Sequence, residues 1–471
     1  MKFSSSLRGI SFVFLFIVPI IVGLFIFFDT TKPGAYTNLY LLPILSGVFF
    51  AILQLLSKNT SINFPLVCVI GLFYIRNVLA SFALYMGEYK SYFMMITKDS
   101  IDSSIALLLS ETVILSLYSL YLSKSLKMSK SIKVQYSSNY ISYKNFLIIM
   151  LFTSVGLIMM NPNFLRDYTT IFSSQSSREM QIGTNATGPL YTLFTVILPI
   201  TYLTLSVSII SFYLQRKKHY FIPVLVGIGI PFMFMSNADG LTLITVLCLG
   251  ITVLKFNAVP KRMFASIGVV AMLLITINLF SDVADASFQS DQKSTGVKVS
   301  EIMQGYFPGV SNAAGLFTMQ SHDKLETLFY DIYAAIPFRQ TLFGIQGDNR
   351  LAYVFTNDND ASSQIIPCSA QFYYYLGFIG LLLECIFIKF AFTTYKKAEE
   401  ETNIYIYYAR ILLFVYLIMT PTVYNMTIFL CRFFVTLAPL LLIYKALQGK
   451  QKTLKMLNSL TTGRLRTAKN M

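Results

Sequence analysis

The feature that most constrains the fold of this chain is a regular alternation of apolar segments with connections that are basic and weakly charged in turn. About twelve apolar segments approach the ~20 residues that an α-helix needs to cross ~30 Å of hydrocarbon. They are Ile10–Phe28, Asn38–Leu56, Ile62–Met86, Ser104–Leu122, Asn145–Met160, Leu190–Leu214, Tyr220–Met235, Leu241–Leu254, Phe264–Phe280, Gln371–Phe392, Ile404–Val423 and Met426–Tyr444. Such a series predicts an all-α, polytopic transmembrane helical bundle.

The composition indicates that lipid is the main solvent of the chain. The mean hydropathy is +0.61, and 55% of the residues are hydrophobic whereas only 13% are charged. A soluble chain of this length would need roughly twice as much charge on its surface. The first apolar segment lacks a small-residue cleavage site, so we expect it to remain as a membrane anchor.

The distribution of basic residues predicts the orientation. With the N-terminus inside, about 23 of the 37 lysines and arginines fall in cytoplasmic connections or in the tail, and about 10 fall outside. Both termini are therefore predicted to be cytoplasmic. The net charge of +15 is explained by a basic inner face against anionic lipid. Nucleic acid is not an expected partner, because no soluble basic domain exists to bind it.

This topology divides the chain into four parts. Residues 1–280 hold nine spans with small external loops, residues 281–370 form a large external loop, residues 371–446 hold three more spans, and residues 447–471 form a basic cytoplasmic tail. The large loop is rich in Phe and Tyr, which argues against disorder. We expect it to form short helices packed on the membrane face.

No cofactor is predicted. Four of the five cysteines fall within spans, and no Cys-x-x-Cys or metal-ligand spacing occurs. Asp358-Asn359-Asp360 resembles a metal-binding Asp-x-Asp, but the Ala and two Ser that follow it are typical of a turn.

Arginines in two external loops suggest an anionic ligand at the membrane surface. Arg178 and Arg339 are the first candidates to grip a lipid diphosphate, followed by Arg166 and Arg350, since arginine forks pair bidentately with phosphate oxygens. The alternative is that each arginine pairs with a local acid, as Arg166 could with Asp167.

Each of several other polar residues has two possible interpretations, one functional and one structural. His322 could act as a general base on a sugar hydroxyl or be incidental in a polar loop. Asp239, in a tight external turn, either faces water or lines a cavity as a base or sugar contact. Arg76 and Arg410 fall within spans, where they would contact substrate or pair structurally, with Glu384 as one acid available.

Two stretches in and next to the large loop resemble sequence motifs of a known family. Ile365-Ile366-Pro367-Cys368-Ser369-Ala370-Gln371-Phe372-Tyr373-Tyr374-Tyr375-Leu376-Gly377-Phe378-Ile379-Gly380 resembles the signature by which Wzy-type oligosaccharide repeat-unit polymerases leave their large external loop. Tyr306-Phe307-Pro308-Gly309, followed by Ala335-Ile336-Pro337-Phe338 and Asn349, is similar as well. The layout of spans, cytoplasmic ends and arginine-bearing external loops also resembles that family.

The resemblance implies a GT-C-like glycosyltransferase of the bacterial inner membrane. Such enzymes polymerise undecaprenyl-diphosphate-linked repeat units into O-antigen or capsular polysaccharide at the external face. The implied partners are the lipid-linked oligosaccharide, membrane lipid, a chain-length regulator and a flippase, and Tyr306 joins the expected substrate contacts. Members often carry an arginine followed by glycine about eleven residues later, whereas here Gly188 is ten residues after Arg178 and Gly347 is eight after Arg339.

Three alternatives remain open on sequence grounds. A lipid-linked repeat-unit flippase would also have about twelve spans, although such carriers usually show internal repeats and short, even loops. An O-antigen ligase would share the layout and the diphosphate grip. A scaffold protein would not need arginines in two separate external loops.

Overall fold

The computed structural model describes residues 13–56, 63–90, 96–125, 140–161, 189–216, 226–227, 229–230, 241–256, 295–337, 350–359 and 365–449. Within these ranges the regular elements are all helical. We number them α1 (Val13–Phe28), α2 (Gly34–Leu56), α3 (Phe64–Met86), α4 (Lys98–Ser125), α5 (Tyr140–Met160), α6 (Pro189–Arg216), α7 (Leu241–Phe256), α8 (Thr295–Tyr306), α9 (Val310–Thr318), α10 (Lys324–Ala334), α11 (Leu351–Asn359), α12 (Cys368–Leu376), α13 (Phe378–Glu399), α14 (Ile404–Met419) and α15 (Met426–Gly449).

Seven of the described helices are long and apolar enough to cross a membrane. They are α2, α3, α4, α5, α6, α13 and α15, whose apolar stretches run from 18 to 28 residues. Large apolar side chains are fully open to the surroundings, including Phe152 (76% exposed) and Met159 (78% exposed) on α5. The all-helical class is therefore confirmed for the described residues, and the seven apolar helices are consistent with a helical membrane protein. The count of twelve stays a prediction, because Phe264–Phe280 and nearly all of Tyr220–Met235 lie outside the described residues.

The predicted span at Gln371–Phe392 is wrong at its beginning. The chain breaks at Gly377, where φ is +62°, so that α12 and α13 are separate helices. Gly380 lets α13 approach α12 closely, since a Cβ there would lie 2.2 Å from the carbonyl oxygen of Phe372. Hydropathy runs on through both helices, so it cannot mark a turn that depends on backbone conformation.

One compact unit comprises Met1–Ser129, Thr276–Lys396 and Phe414–Cys431. At its centre, α4 packs against α2, α3 and α9. The hydroxyls of Ser104, Thr112 and Ser119 each donate at 2.7 Å to the carbonyl four residues earlier in α4. These small side chains satisfy their own polar groups, and so other helices can pack closely on α4.

The second compact unit comprises Lys130–Ile275, Lys397–Leu413 and Arg432–Met471. Here α6 packs on α5, α7 and the part of α15 in this unit. The buried rings of Tyr143 and Tyr405 stack 3.8 Å apart, and Tyr444 packs edge-on against both. The hydroxyl of Tyr143 donates to the Tyr444 carbonyl at 3.2 Å, which closes the cluster.

The described part of the large loop forms short helices, α8 to α11, as its composition predicts. One of these helices, α9, lies inside its compact unit, whereas the packing of the others on a membrane face stays a prediction. Every residue from Val310 to Leu316 in α9 is buried. Val310, Ala313 and Ala314 share one apolar cluster with Ile101 and Ile105 of α4, so this segment belongs to the interior of its unit.

Candidate functional site

His322 and Asp358 form a pair between the segment before α10 and the end of α11. Nε2 of His322 lies 2.8 Å from Oδ2 of Asp358, although the two residues are 36 positions apart. The backbone N–H of Gln320 also donates to Oδ2 of Asp358 at 3.1 Å, and the hydroxyl of Tyr374 donates to the carbonyl of His322 at 3.2 Å. Because Nε2 faces a carboxylate, the imidazole is held with its lone pair on Nδ1, the arrangement of an oriented general base.

The pair opens into a cleft of about 240 Å³. The cleft is lined by His322, Asp323, Glu326, Thr327, Tyr353, Val354, Asn357 and Asp358. Its polar groups are mainly oxygen acceptors, and ionised carboxylates accept hydrogen bonds only. The cleft therefore suits a neutral ligand rich in hydroxyl groups, such as a sugar, better than an anion.

Asp331, on the helix that follows His322, accepts hydrogen bonds from three other residues. It is fully buried in α10, and its carboxylate accepts from the Tyr375 hydroxyl at 2.6 Å, from Nε2 of Gln371 at 2.5 Å and from the backbone N–H of Leu351 at 3.2 Å. Asp331 thereby fixes α10 against α12 and against the first residue of α11. The His322–Asp358 pair is carried by the segments at the ends of these helices.

Gln371 extends this network to α15. Its Nε2 also donates to Oγ1 of Thr427 at 2.9 Å, and its Oε1 accepts from the backbone N–H of Met426 at 2.8 Å. The buried side chain of Gln371 thus satisfies one of the unpaired N–H groups at the beginning of α15.

The environment shifts the acid–base equilibria of this network. Burial raises the pKa of Asp331 above its ordinary value, and the hydrogen bonds from Tyr375, Gln371 and Thr427 oppose that rise without cancelling it. Burial, together with the adjacent Asp331 charge, raises the pKa of Tyr375. Tyr375 therefore remains a hydrogen-bond donor throughout the physiological range.

A second polar cluster lies within the helices that could span the membrane. Arg76, fully buried near the middle of α3, pairs bidentately with Glu111 of α4: Nη1 to Oε1 at 3.1 Å and Nη2 to Oε2 at 2.8 Å. Nη1 also donates to the carbonyl of Pro421 at 3.1 Å, and the guanidinium lies 5.0 Å from the centre of the Phe73 ring. Arg76 falls in a π-helical turn, Ile75–Leu79, a local distortion frequent at functional sites.

Glu384 of α13 completes the cluster. It is fully buried and lies within hydrogen-bonding reach of Glu111. Neither of its carboxyl oxygens receives a hydrogen bond from an N–H or O–H group of the described residues. Arg76 therefore takes Glu111 as its direct partner, while Glu384, the acid suggested by the sequence, faces Glu111.

The remaining predicted site residues fall into two groups. Arg178, Arg339, Arg166 and Asp239 lie outside the described residues, and their roles stay predictions. Arg350, Tyr306 and Arg410 are described, and none of them is among the residues that line the cleft. The Arg350 carbonyl accepts from Val354 at the beginning of α11, and Tyr306 is 39% exposed at the end of α8. Arg410 donates to the Lys397 carbonyl and lies 3.4 Å from Glu401.

Sequence reasoning missed Glu111, Gln371 and Tyr375 as parts of polar centres, and it took Asp358 for a turn residue although it lies in α11. Glu111 left a visible signal, because a carboxylate inside an apolar span is itself a functional hypothesis. Gln371 and Tyr375 show no sequence pattern that separates them from their neighbours.

No protein-family model, curated protein or solved structure matches this chain.

Proposed function

We propose that this chain is a membrane glycosyltransferase that polymerises undecaprenyl-diphosphate-linked oligosaccharide repeat units at the external face of the bacterial inner membrane. The observation that carries the proposal is the His322–Asp358 pair beside an acidic cleft. The pair is built on the segment that the basic-residue pattern assigns to the outside. A base beside a cleft rich in hydrogen-bond acceptors, in a chain with apolar helices of spanning length, suits a substrate with sugars in water and a polyprenyl chain in lipid.

In the proposed reaction, the acceptor sugar places one hydroxyl at Nδ1 of His322. The imidazole removes the proton as the hydroxyl oxygen forms a bond to the anomeric carbon of the donor glycan. The bond from that carbon to the polyprenyl diphosphate oxygen breaks, and the leaving group takes the electron pair. Asp358, at 2.8 Å from Nε2, is the partner proposed to hold the ring in this orientation during the transfer.

The leaving diphosphate needs positive charge that the cleft does not supply. Arg178 and Arg339, from two external loops of the predicted topology, are the residues proposed to hold it. Donors aimed at charge that develops in the transition state are commonly the largest catalytic contribution. O-antigen and capsular glycans are both possible products under this proposal.

The experiment is reconstitution of the full chain in nanodiscs with a purified undecaprenyl-diphosphate-linked repeat unit. Polymerase activity would give a ladder of lengthened lipid-linked glycans on a gel, and His322→Gln would remove it. A ladder of normal intensity from His322→Gln, at equal protein, would exclude the proposed base. Transfer of finished glycan to a lipid A core acceptor, without lengthening, would identify a ligase instead.

One observation favours a second function, transport of the lipid-linked unit. Ionisable residues buried within spans often mark substrate or proton pathways in carriers, and Arg76, Glu111 and Glu384 form such a cluster. Proteoliposomes would separate the two functions. Movement of the lipid-linked unit across the bilayer, without a new glycosidic bond, would favour the flippase.

A further inference from the structure

The cluster of Arg76, Glu111 and Glu384 holds more acid than base. One guanidinium faces two carboxyl groups, and all three side chains are fully buried. Were both acids ionised, the cluster would carry one net negative charge out of reach of water. Burying an unpaired carboxylate in a low-dielectric interior is expensive, and such a group usually takes up a proton instead.

The hydrogen bonds show which of the two carboxyl groups lacks a donor. Both oxygens of Glu111 accept from Arg76, at 3.1 and 2.8 Å, so Glu111 is held as the ionised partner. Among the described residues, no N–H or O–H group donates to either oxygen of Glu384, which instead lies within reach of Glu111. Two carboxyl oxygens in contact can share a hydrogen bond only if one of them carries a proton.

We infer that Glu111 and Glu384 bind one proton between them, so that Glu384 is a carboxylic acid whose O–H donates to Glu111. The cluster is then neutral, with Arg76 as the cation and Glu111 as the anion. It ties α3, α4 and α13 together through a single exchangeable proton. This inference does not depend on the proposed transferase activity.

The surroundings favour a proton over a metal ion. Besides Arg76, the described titratable groups that face Glu384 and Glu111 are the thiols of Cys368 on α12 and Cys385 on α13. Sodium prefers several hard oxygen ligands, and the adjacent guanidinium would repel it. A proton needs one acceptor oxygen, which Glu111 supplies.

Infrared spectroscopy of the full chain in nanodiscs tests the inference directly. At neutral pH the wild type should show the carbonyl stretching band of a protonated carboxylic acid, with a shift in D2O. Labelling with ¹³C-glutamate should move this band, and labelling with ¹³C-aspartate should not, which separates Glu384 from the buried Asp331. These measurements need no variant. Absence of a glutamate-derived acid band in the wild type would overturn the inference.

Two substitutions assign the band. Glu384→Gln should abolish it, and the matched Glu326→Gln, at an exposed carboxylate of α10, should leave it unchanged. A band that survives Glu384→Gln would overturn the assignment to this pair. Replacing sodium with choline should have no effect; loss of the acid band on adding sodium would assign the pair to a metal cation and also overturn the inference.

Discussion

The hydroxyl of Tyr375 donates a 2.6 Å hydrogen bond to the buried carboxylate of Asp331, and so joins the helix that precedes Gly377 to a helix of the long inserted segment. Asp331 lies on α10, the helix that also carries the cleft residues Glu326 and Thr327. A helix that lines the cleft is therefore held by a hydrogen bond between residues 44 positions apart.

Replacing Tyr375 with Phe removes this donor and keeps the ring. Leaving a buried hydrogen-bonding group without its partner costs about 1 to 3 kcal/mol, so the free energy of unfolding should fall by that amount. Reversible SDS unfolding in mixed micelles measures it. Tyr373→Phe removes the hydroxyl of a nearby ring outside the Asp331 network. Its free energy of unfolding should stay within about 0.5 kcal/mol of the wild-type value. Equal losses from both variants would contradict the prediction.

The raised pKa of Asp331 predicts how stability depends on pH. Because the folded state holds the proton more tightly than the unfolded chain, the stabilising contribution is fully present below the unfolded pKa of about 3.9. It is lost as pH rises through the raised folded pKa. The stability of the wild type relative to Asp331→Asn should thus be greatest in acid and decline toward neutral pH.

Unfolding at a series of pH values checks this difference. A wild-type advantage that is constant, or that grows as pH rises, would show that Asp331 does not titrate in this way.

His322→Gln should slow polymerisation by about 10² to 10⁴, the usual contribution of a general base. Rates from the nanodisc ladder assay measure the effect. The chain has one other histidine, His219, in a connection that the charge pattern predicts to be cytoplasmic. His219→Gln should therefore leave the rate unchanged, and a comparable loss there would point to a general effect on folding.

Breaking the Arg76–Glu111 pair should destabilise the bundle strongly. Arg76→Gln leaves Glu111 without its counterion, at a cost of about 3 to 5 kcal/mol. The double variant Arg76→Met with Glu111→Leu removes both charges and should recover most of that loss. SDS unfolding of the wild type and the two variants measures the loss and its recovery; a double variant no more stable than Arg76→Gln would mean that the pair is not the source of the cost.

Alanine at Arg178 or at Arg339 should leave single, unpolymerised repeat units in cells, since the diphosphate leaving group would lose its cation. Gel analysis of surface glycans reads the outcome. Arg262→Ala, in a predicted cytoplasmic connection, serves as the matched control. A normal ladder from either external variant, at normal abundance, would remove that arginine from the proposed site.

The helical membrane class could be predicted from the sequence because lipid leaves the chain little choice: apolar segments of spanning length must form helices that satisfy their own backbone groups. The same rule does not predict the break at Gly377, where the backbone conformation of one residue divides one apolar segment into two helices. Hydropathy averages over both sides of that turn.

The polar centres were only partly predictable. His322 was identified by its chemistry, but its partner Asp358 is 36 positions away and came from tertiary packing. An arginine within a span, such as Arg76, is expected to pair with an acid. The sequence analysis named Glu384 as that acid, whereas the structure pairs Arg76 with Glu111. Two carboxylates at similar depth cannot be ranked without knowing which helices are neighbours.

The burial of α9 limits how this protein can be re-engineered. If the inserted segment determined sugar preference as a detachable cap, a relative's version could be transplanted into residues 281–370. Residues Val310 to Leu316 instead fill the interior beside α4. A graft would therefore have to bring its own complementary α4 surface, whereas point substitutions around the cleft leave that packing intact.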